Sequence, residues 1–109
     1  MENQENQNDL ENIKYQKIIN FAKFLGDNIV CYIPDKTERT NARLNLELVS
    51  CYPQHMVIEG FSKMFNPKEE NKQIIKKICK DYFIDFDSLK EEYKTKIIRY
   101  CEMFKKILN

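Results

Sequence analysis

Apolar residues recur at helical spacing along most of this 109-residue sequence, and that pattern most constrains the fold. The stretches at about 10–25, 40–51, 54–65 and 88–108 each carry apolar residues three or four positions apart, which indicates an amphipathic helix. The chain contains only two glycines and three prolines, so few turns are forced. The sequence therefore predicts a mostly α-helical protein, of a length that suits one domain with a tail.

The chain divides into three predicted parts. Residues 1–8, MENQENQN, are polar and predict a disordered tail. Residues 9–35 predict an N-terminal helix that ends near Gly26, followed by a short strand in NIVCYIP, residues 28–34. Residues 36–109 predict the main helical domain.

The main domain is predicted to contain three helices with one short β-strand before the last. Pro53 separates the first two helices, because the residue before a proline avoids the helical region. A basic amphipathic segment follows at 72–80. The run DYFIDF, residues 81–86, is rich in aromatic residues and predicts the strand. Ser88, with Glu91 three positions later, predicts a capping box at the start of the last helix.

The chemistry of the side chains argues against an enzyme or a metalloprotein. The four cysteines lie about twenty or more positions apart and the chain has one histidine, so no local pair of zinc ligands is present. No glycine-rich phosphate loop or nucleophile–base arrangement is visible. We therefore expect no metal, no cofactor and no catalytic residue. No signal peptide or membrane-spanning run is visible either, so we expect free thiols in a reducing intracellular compartment. The cysteines are Cys31, Cys51, Cys79 and Cys101.

Two short stretches carry a family pattern. The second half contains Ile84-Asp85-Phe86, Leu89-Lys90 and Arg99-Tyr100 at ungapped spacing, and LNLELVSCYP precedes them at 44–53. These motifs resemble the extraterminal (ET or NET) domain of double-bromodomain and YEATS-class chromatin proteins, over about residues 36–108. The match at 44–53 needs one inserted residue. Phe83 stands where the family usually has a second acid, and Glu91 stands where it has a proline.

The resemblance implies a peptide-binding module. In that family a disordered peptide of alternating lysine and hydrophobic residues adds as a strand to the lone strand, a mode known as β-augmentation. Carried onto this chain, the binding strand is Asp81, Tyr82, Phe83, Ile84 and Asp85. The groove beside it is formed by Leu48, Val57 and Phe61. The resemblance further implies a nuclear adaptor in chromatin or transcription regulation. Because Phe83 replaces an acid, we expect a ligand with fewer lysines and more hydrophobic character.

Several alternatives remain open on the residues alone. The segment 28–33 could pair internally with 81–86 and fill the binding strand. The lysines between 68 and 80 could bind nucleic acid, although Glu69 and Glu70 dilute their charge and no aromatic residue is interleaved with them. The N-terminal helix could dock into a larger complex. An exposed edge strand would also allow two copies to dimerise.

Overall fold

The computed structural model describes the backbone of residues 2–109 and the side chains of residues 9–109. The predicted disordered tail, residues 1–8, lies outside the residues described in full. The predominance of helix is confirmed. The five helices are α1 (Glu2–Asn28), α2 (Lys36–Cys51), α3 (Gln54–Met64), α4 (Asn71–Tyr82) and α5 (Glu91–Ile107), with 3₁₀ turns at Val30–Tyr32 and Phe86–Ser88.

Local chemistry explains where α2 begins and where it gives way to α3. The carboxylate of Asp35 accepts a hydrogen bond from the backbone amide of Glu38 at 2.8 Å, which satisfies one of the free donors of the first turn of α2. At the other end, Tyr52 is extended (ψ 154°) because Pro53 follows it. Helix α3 then begins at Gln54, directly after the proline.

The predicted strand at 81–86 is absent from the described residues, and this prediction was wrong. Helix α4 continues to Tyr82, since its buried positions, Ile74, Ile75, Ile78 and Tyr82, keep helical spacing into the supposed strand. Phe83 then adopts a left-handed conformation (φ 56°, ψ 36°). The amide of Ile84 donates to the carbonyl of Cys79 at 2.9 Å, the hydrogen bond of a Schellman C-cap.

The short strand predicted at 28–34 is also absent from the part of the chain that the structure describes. Gly26 lies inside α1 rather than ending it, and the amide side chain of Asn28 closes the last turn by donating to the carbonyl of Phe24 at 3.1 Å. The following 3₁₀ turn buries Ile29, Val30 and Ile33 almost completely. The β-branched residues that suggested a strand are therefore core residues of a turn.

The predicted capping box at Ser88 is wrong as well. The Ser88 hydroxyl donates to the Asp85 carboxylate at 2.6 Å and does not cap α5. The N-cap residue of α5 is Lys90, whose side chain makes no capping hydrogen bond.

An aromatic cluster joins the N-terminal helix to the rest of the bundle. The Phe21 ring of α1 lies 4.8 Å from Tyr100 and 5.6 Å from Phe104 of α5, measured between ring centroids. Phe65, just after α3, lies 4.9 Å from Phe104. Helix α1 also packs against α2 and α3, while α4 packs against α2 and α5. The N-terminal helix and the later helices thus share one core.

Candidate peptide-binding surfaces

The structure places six of the eight predicted site residues in two depressions. Leu48, Val57 and Phe61 line a groove between α2 and α3, which we call the α2–α3 groove. Phe83, Ile84 and Asp85 line a different depression beside α5, which we call the cleft.

The two remaining predicted residues occupy the last turn of α4. Tyr82 is buried and belongs to the core. Asp81 is exposed, and its carbonyl accepts a hydrogen bond from the side-chain amide of Asn45 at 3.1 Å. Because Asn45 also lines the α2–α3 groove, Asp81 lies at the edge of that groove.

The α2–α3 groove has a buried apolar floor and exposed apolar sides. Its volume is about 300 Å³. Val49, Val57 and Phe61 form the floor and are buried. The sides include Leu48, Tyr52 and Met56, whose exposed fractions are 43%, 53% and 52%. Such exposure is unusual for large apolar side chains that lie close together on one surface.

Sequence reasoning placed Leu48 in this groove but missed Tyr52 and Met56. The missing signal was a second apolar row, at four-residue spacing, that runs beside the core stripe of α2 and continues into α3. Leu44 begins that row and is 51% exposed. The row consists of Leu44, Leu48, Tyr52 and Met56.

The cleft lies where the first 3₁₀ turn meets the end of α4 and the start of α5. Its volume is about 270 Å³. The segments that could have paired as strands, 28–33 and 81–86, do meet here, but as a 3₁₀ turn against the C-cap of α4. The lining consists of Ile29, Tyr32, Ile33, Pro34, Phe83, Ile84, Asp85, Ser88, Leu89, Lys90 and Tyr93.

Negative charge is concentrated around the end of α4. Asp81, Asp85 and Asp87 lie within seven consecutive residues and are all exposed. Burial raises the pKa of the Cys79 thiol to about 11; the backbone hydrogen bond at Phe86 lowers it, and the nearby carboxylates of Asp85 and Asp87 raise it. Burial, and then the carboxylate of Asp81, raises the pKa of Tyr82 to about 12. Both side chains therefore stay neutral at physiological pH.

The lysine face of α4 is solvated and partly neutralised. Lys72, Lys76 and Lys80 are exposed along the side of the helix opposite its isoleucines. Lys77 is already paired with the carboxylate of Glu69, at 2.7 Å. The positive potential that would attract phosphate groups is thus weakened on this face.

The apolar face of the N-terminal helix is largely used inside the molecule. Ile18, Phe21 and Leu25 are at most 1% exposed. Leu10 and Ile13, nearer the start of α1, are about half exposed. Most of the surface that could have docked into a larger complex therefore packs against this chain's own helices.

Within the described residues, no helix is long and apolar enough to cross a membrane. The same residues contain no group of three or more histidine, cysteine or acidic side chains placed to hold a metal ion. Comparison with known proteins finds no matching family model, curated protein or solved structure. The resemblance to the extraterminal domain therefore stays a prediction.

Proposed function

We propose that this protein is a protein–protein interaction module that captures a short linear peptide in the α2–α3 groove. The observation that carries the proposal is the part of the exposed row formed by Leu48, Tyr52 and Met56, each 43–53% exposed beside a buried apolar floor. Apolar side chains that cluster on a surface favour a partner that removes them from water. The proposal is for a binding protein and not for an enzyme.

Apolar burial is the main source of affinity in this proposal. Complete burial of one large apolar side chain contributes about 1.5–3 kcal/mol. Because these side chains are already half buried in the free protein, each contributes only part of that free energy to binding. A peptide lysine next to Asp81 would add only about 0–1 kcal/mol, since the carboxylate is exposed to solvent. The ligand that suits the groove is therefore mainly hydrophobic, with lysine at its edge.

The recognition mode differs from the strand addition that the family resemblance implies. Asp81 and Tyr82 belong to α4, and Phe83 is left-handed, so residues 81–86 do not present an extended edge. Strand addition there would require the last turn of α4 to unwind. Entry of peptide side chains between two helices requires no such change.

The cellular setting rests on the extraterminal resemblance alone. That resemblance places such a module in the nucleus, as an adaptor that binds short motifs of chromatin or transcription regulators. We include this setting in the proposal because the same motifs that suggest it also suggest peptide binding.

A titration with a peptide of alternating lysine and hydrophobic residues tests the proposal. We expect amide NMR shifts concentrated on residues 44–64 and little dependence of affinity on salt, because apolar burial dominates. Leu48→Ser and Met56→Ser should each weaken binding about 5- to 30-fold, the range for losing an interface anchor worth about 1–2 kcal/mol. Both side chains are exposed, so the fold should survive.

Ile98→Ser provides the matched control, because Ile98 is an exposed apolar residue of α5 outside the groove. Its affinity for the peptide should equal that of the wild type. Equal affinities for all three variants, or shifts confined to other surfaces, would contradict the proposal. A steep loss of binding with salt would instead indicate phosphate-type contacts at the lysine face.

A further inference from the structure

A second site, separate from the α2–α3 groove, is suggested by the side chains around the cleft. We propose that the cleft binds an alkylammonium group, the chemistry shared by a methylated lysine side chain and by free choline. This inference is independent of peptide capture in the groove, since the two depressions share no lining residue.

Three aromatic side chains reach the cleft from three different segments. Tyr32 comes from the first 3₁₀ turn, Phe83 from the end of α4 and Tyr93 from the first turn of α5. Aromatic faces attract cations through the ring quadrupole, and sets of aromatic rings are a recurring way to bind methylated ammonium groups. The volume of about 270 Å³ suits a group of that size rather than a large ligand.

The backbone of Phe83 gives an independent reason to look for function here. Among the described residues, it is the one non-glycine residue with a positive φ. Glycine or asparagine is the usual residue at a left-handed C-cap, because a bulky side chain is strained there. The Phe83 side chain is nevertheless not fully buried: it remains 38% exposed at the wall of the cleft. An aromatic ring kept in a strained position at a cavity points to a role for the ring itself.

The charge around the cleft suits a cation. The Asp85 carboxylate lines the cleft, and the hydroxyl of Ser88 holds one of its oxygens at 2.6 Å. Asp87 lies two residues further along the chain and adds to the negative field. The lining also contains one basic residue, Lys90, whose ammonium lies 5.9 Å from the centroid of the Tyr93 ring. The chain's own ammonium thus already occupies one aromatic face, and an external ammonium would have to displace it.

Calorimetric titration of the full chain tests the proposal with four probes. Choline and a short peptide containing trimethyllysine supply the ammonium group from the two sources. The alcohol 3,3-dimethylbutan-1-ol has the shape of choline without its charge, and the unmethylated peptide controls for the rest of the sequence. We expect binding of at least one ammonium probe and no measurable binding of the neutral alcohol.

Substitutions at the cleft should change ammonium affinity in both directions. Phe83→Gly and Tyr32→Leu should each weaken binding about 3- to 30-fold, the range for losing one cation–aromatic contact. Phe83→Gly relieves the backbone strain, and circular dichroism of the variant checks that its helices are retained. Tyr32→Phe keeps the ring and should bind like the wild type. Lys90→Gln should tighten binding, because it removes the internal competitor.

Each outcome decides the proposal. Binding of choline and of the trimethyllysine peptide supports a general alkylammonium site, and binding of the peptide alone assigns the source to a modified protein. Equal binding of choline and the neutral alcohol would overturn the proposal in favour of a plain apolar pocket. No binding of either ammonium probe up to about ten millimolar would also overturn it.

Discussion

At the scale of single residues, Phe83 determines how the chain turns between α4 and α5. Its left-handed conformation allows the amides of Phe83 and Ile84 both to donate to the carbonyl of Cys79. The same residue replaces an acid in the motif that resembles the extraterminal domain. One position therefore accounts both for the turn that follows α4 and for an aromatic wall of the cleft.

A pair of substitutions at Phe83 separates its backbone strain from its side-chain contacts. Phe83→Ala and Phe83→Gly both remove the ring, but only glycine accepts a positive φ without steric cost. We therefore expect the glycine variant to be more stable than the alanine variant by about 1–2 kcal/mol. Urea denaturation of the two proteins measures the difference. Equal stabilities would show that residue 83 is not left-handed in solution.

At the scale of elements, the ends of the helices depend on individual side chains more than on the apolar pattern. Asp35 caps α2 through Glu38, whereas Ser88 binds Asp85 and leaves Lys90 at the start of α5. Both sites show a polar residue followed three positions later by an acid. The pattern alone does not reveal which of the two forms the cap, because nearby polar groups compete for the same hydroxyl or carboxylate.

Removal of the α2 cap should destabilise the protein measurably. Asp35→Ala should lower the free energy of unfolding by about 0.5–2 kcal/mol, since a first-turn amide loses its acceptor. Asp35→Asn keeps a capping oxygen and serves as the control, with a loss of only a few tenths of a kcal/mol expected. Thermal unfolding followed by circular dichroism provides the comparison. If the two variants unfold at the same temperature, the observed hydrogen bond does not stabilise α2.

At the scale of the whole molecule, α1 is part of the core and not an accessory to a separate domain. Phe21 is 1% exposed and contacts aromatic residues from the end of α3 and from α5. Removing the first 35 residues would therefore expose the centre of the bundle.

Two substitutions on α1 test this view. Phe21→Ala should lower the free energy of unfolding by about 3–5 kcal/mol, because it leaves a cavity where three aromatic rings meet. That is a large part of the stability of a small domain, typically about 5–15 kcal/mol. Leu10→Ala, at a position that is 52% exposed, should change stability by no more than about 0.5 kcal/mol. Similar, small effects of both substitutions in urea denaturation would show that α1 does not contribute to the core.

The sequence by itself determined the helical class, the approximate extents of α2, α3 and α5, and part of the apolar lining of the groove. These features depend on periodicity and on proline, which act within a few residues. The choice between strand and helix for DYFIDF was decided only by tertiary packing. Tyr82 is buried as the last residue of the apolar stripe of α4, so the helix continues to that point. Packing of this side chain outweighs the β-propensity of the aromatic and β-branched residues in the run.

The cleft and the full lining of the α2–α3 groove also form only in the tertiary structure. Tyr32 is far from Phe83 and Tyr93 in sequence, and the three residues meet because the segments that carry them converge at the cleft. No local pattern encodes such a meeting, since it depends on how the helices pack against one another. The row that continues from Leu48 to Met56 likewise became a surface feature only when α2 and α3 packed and left it outside the core.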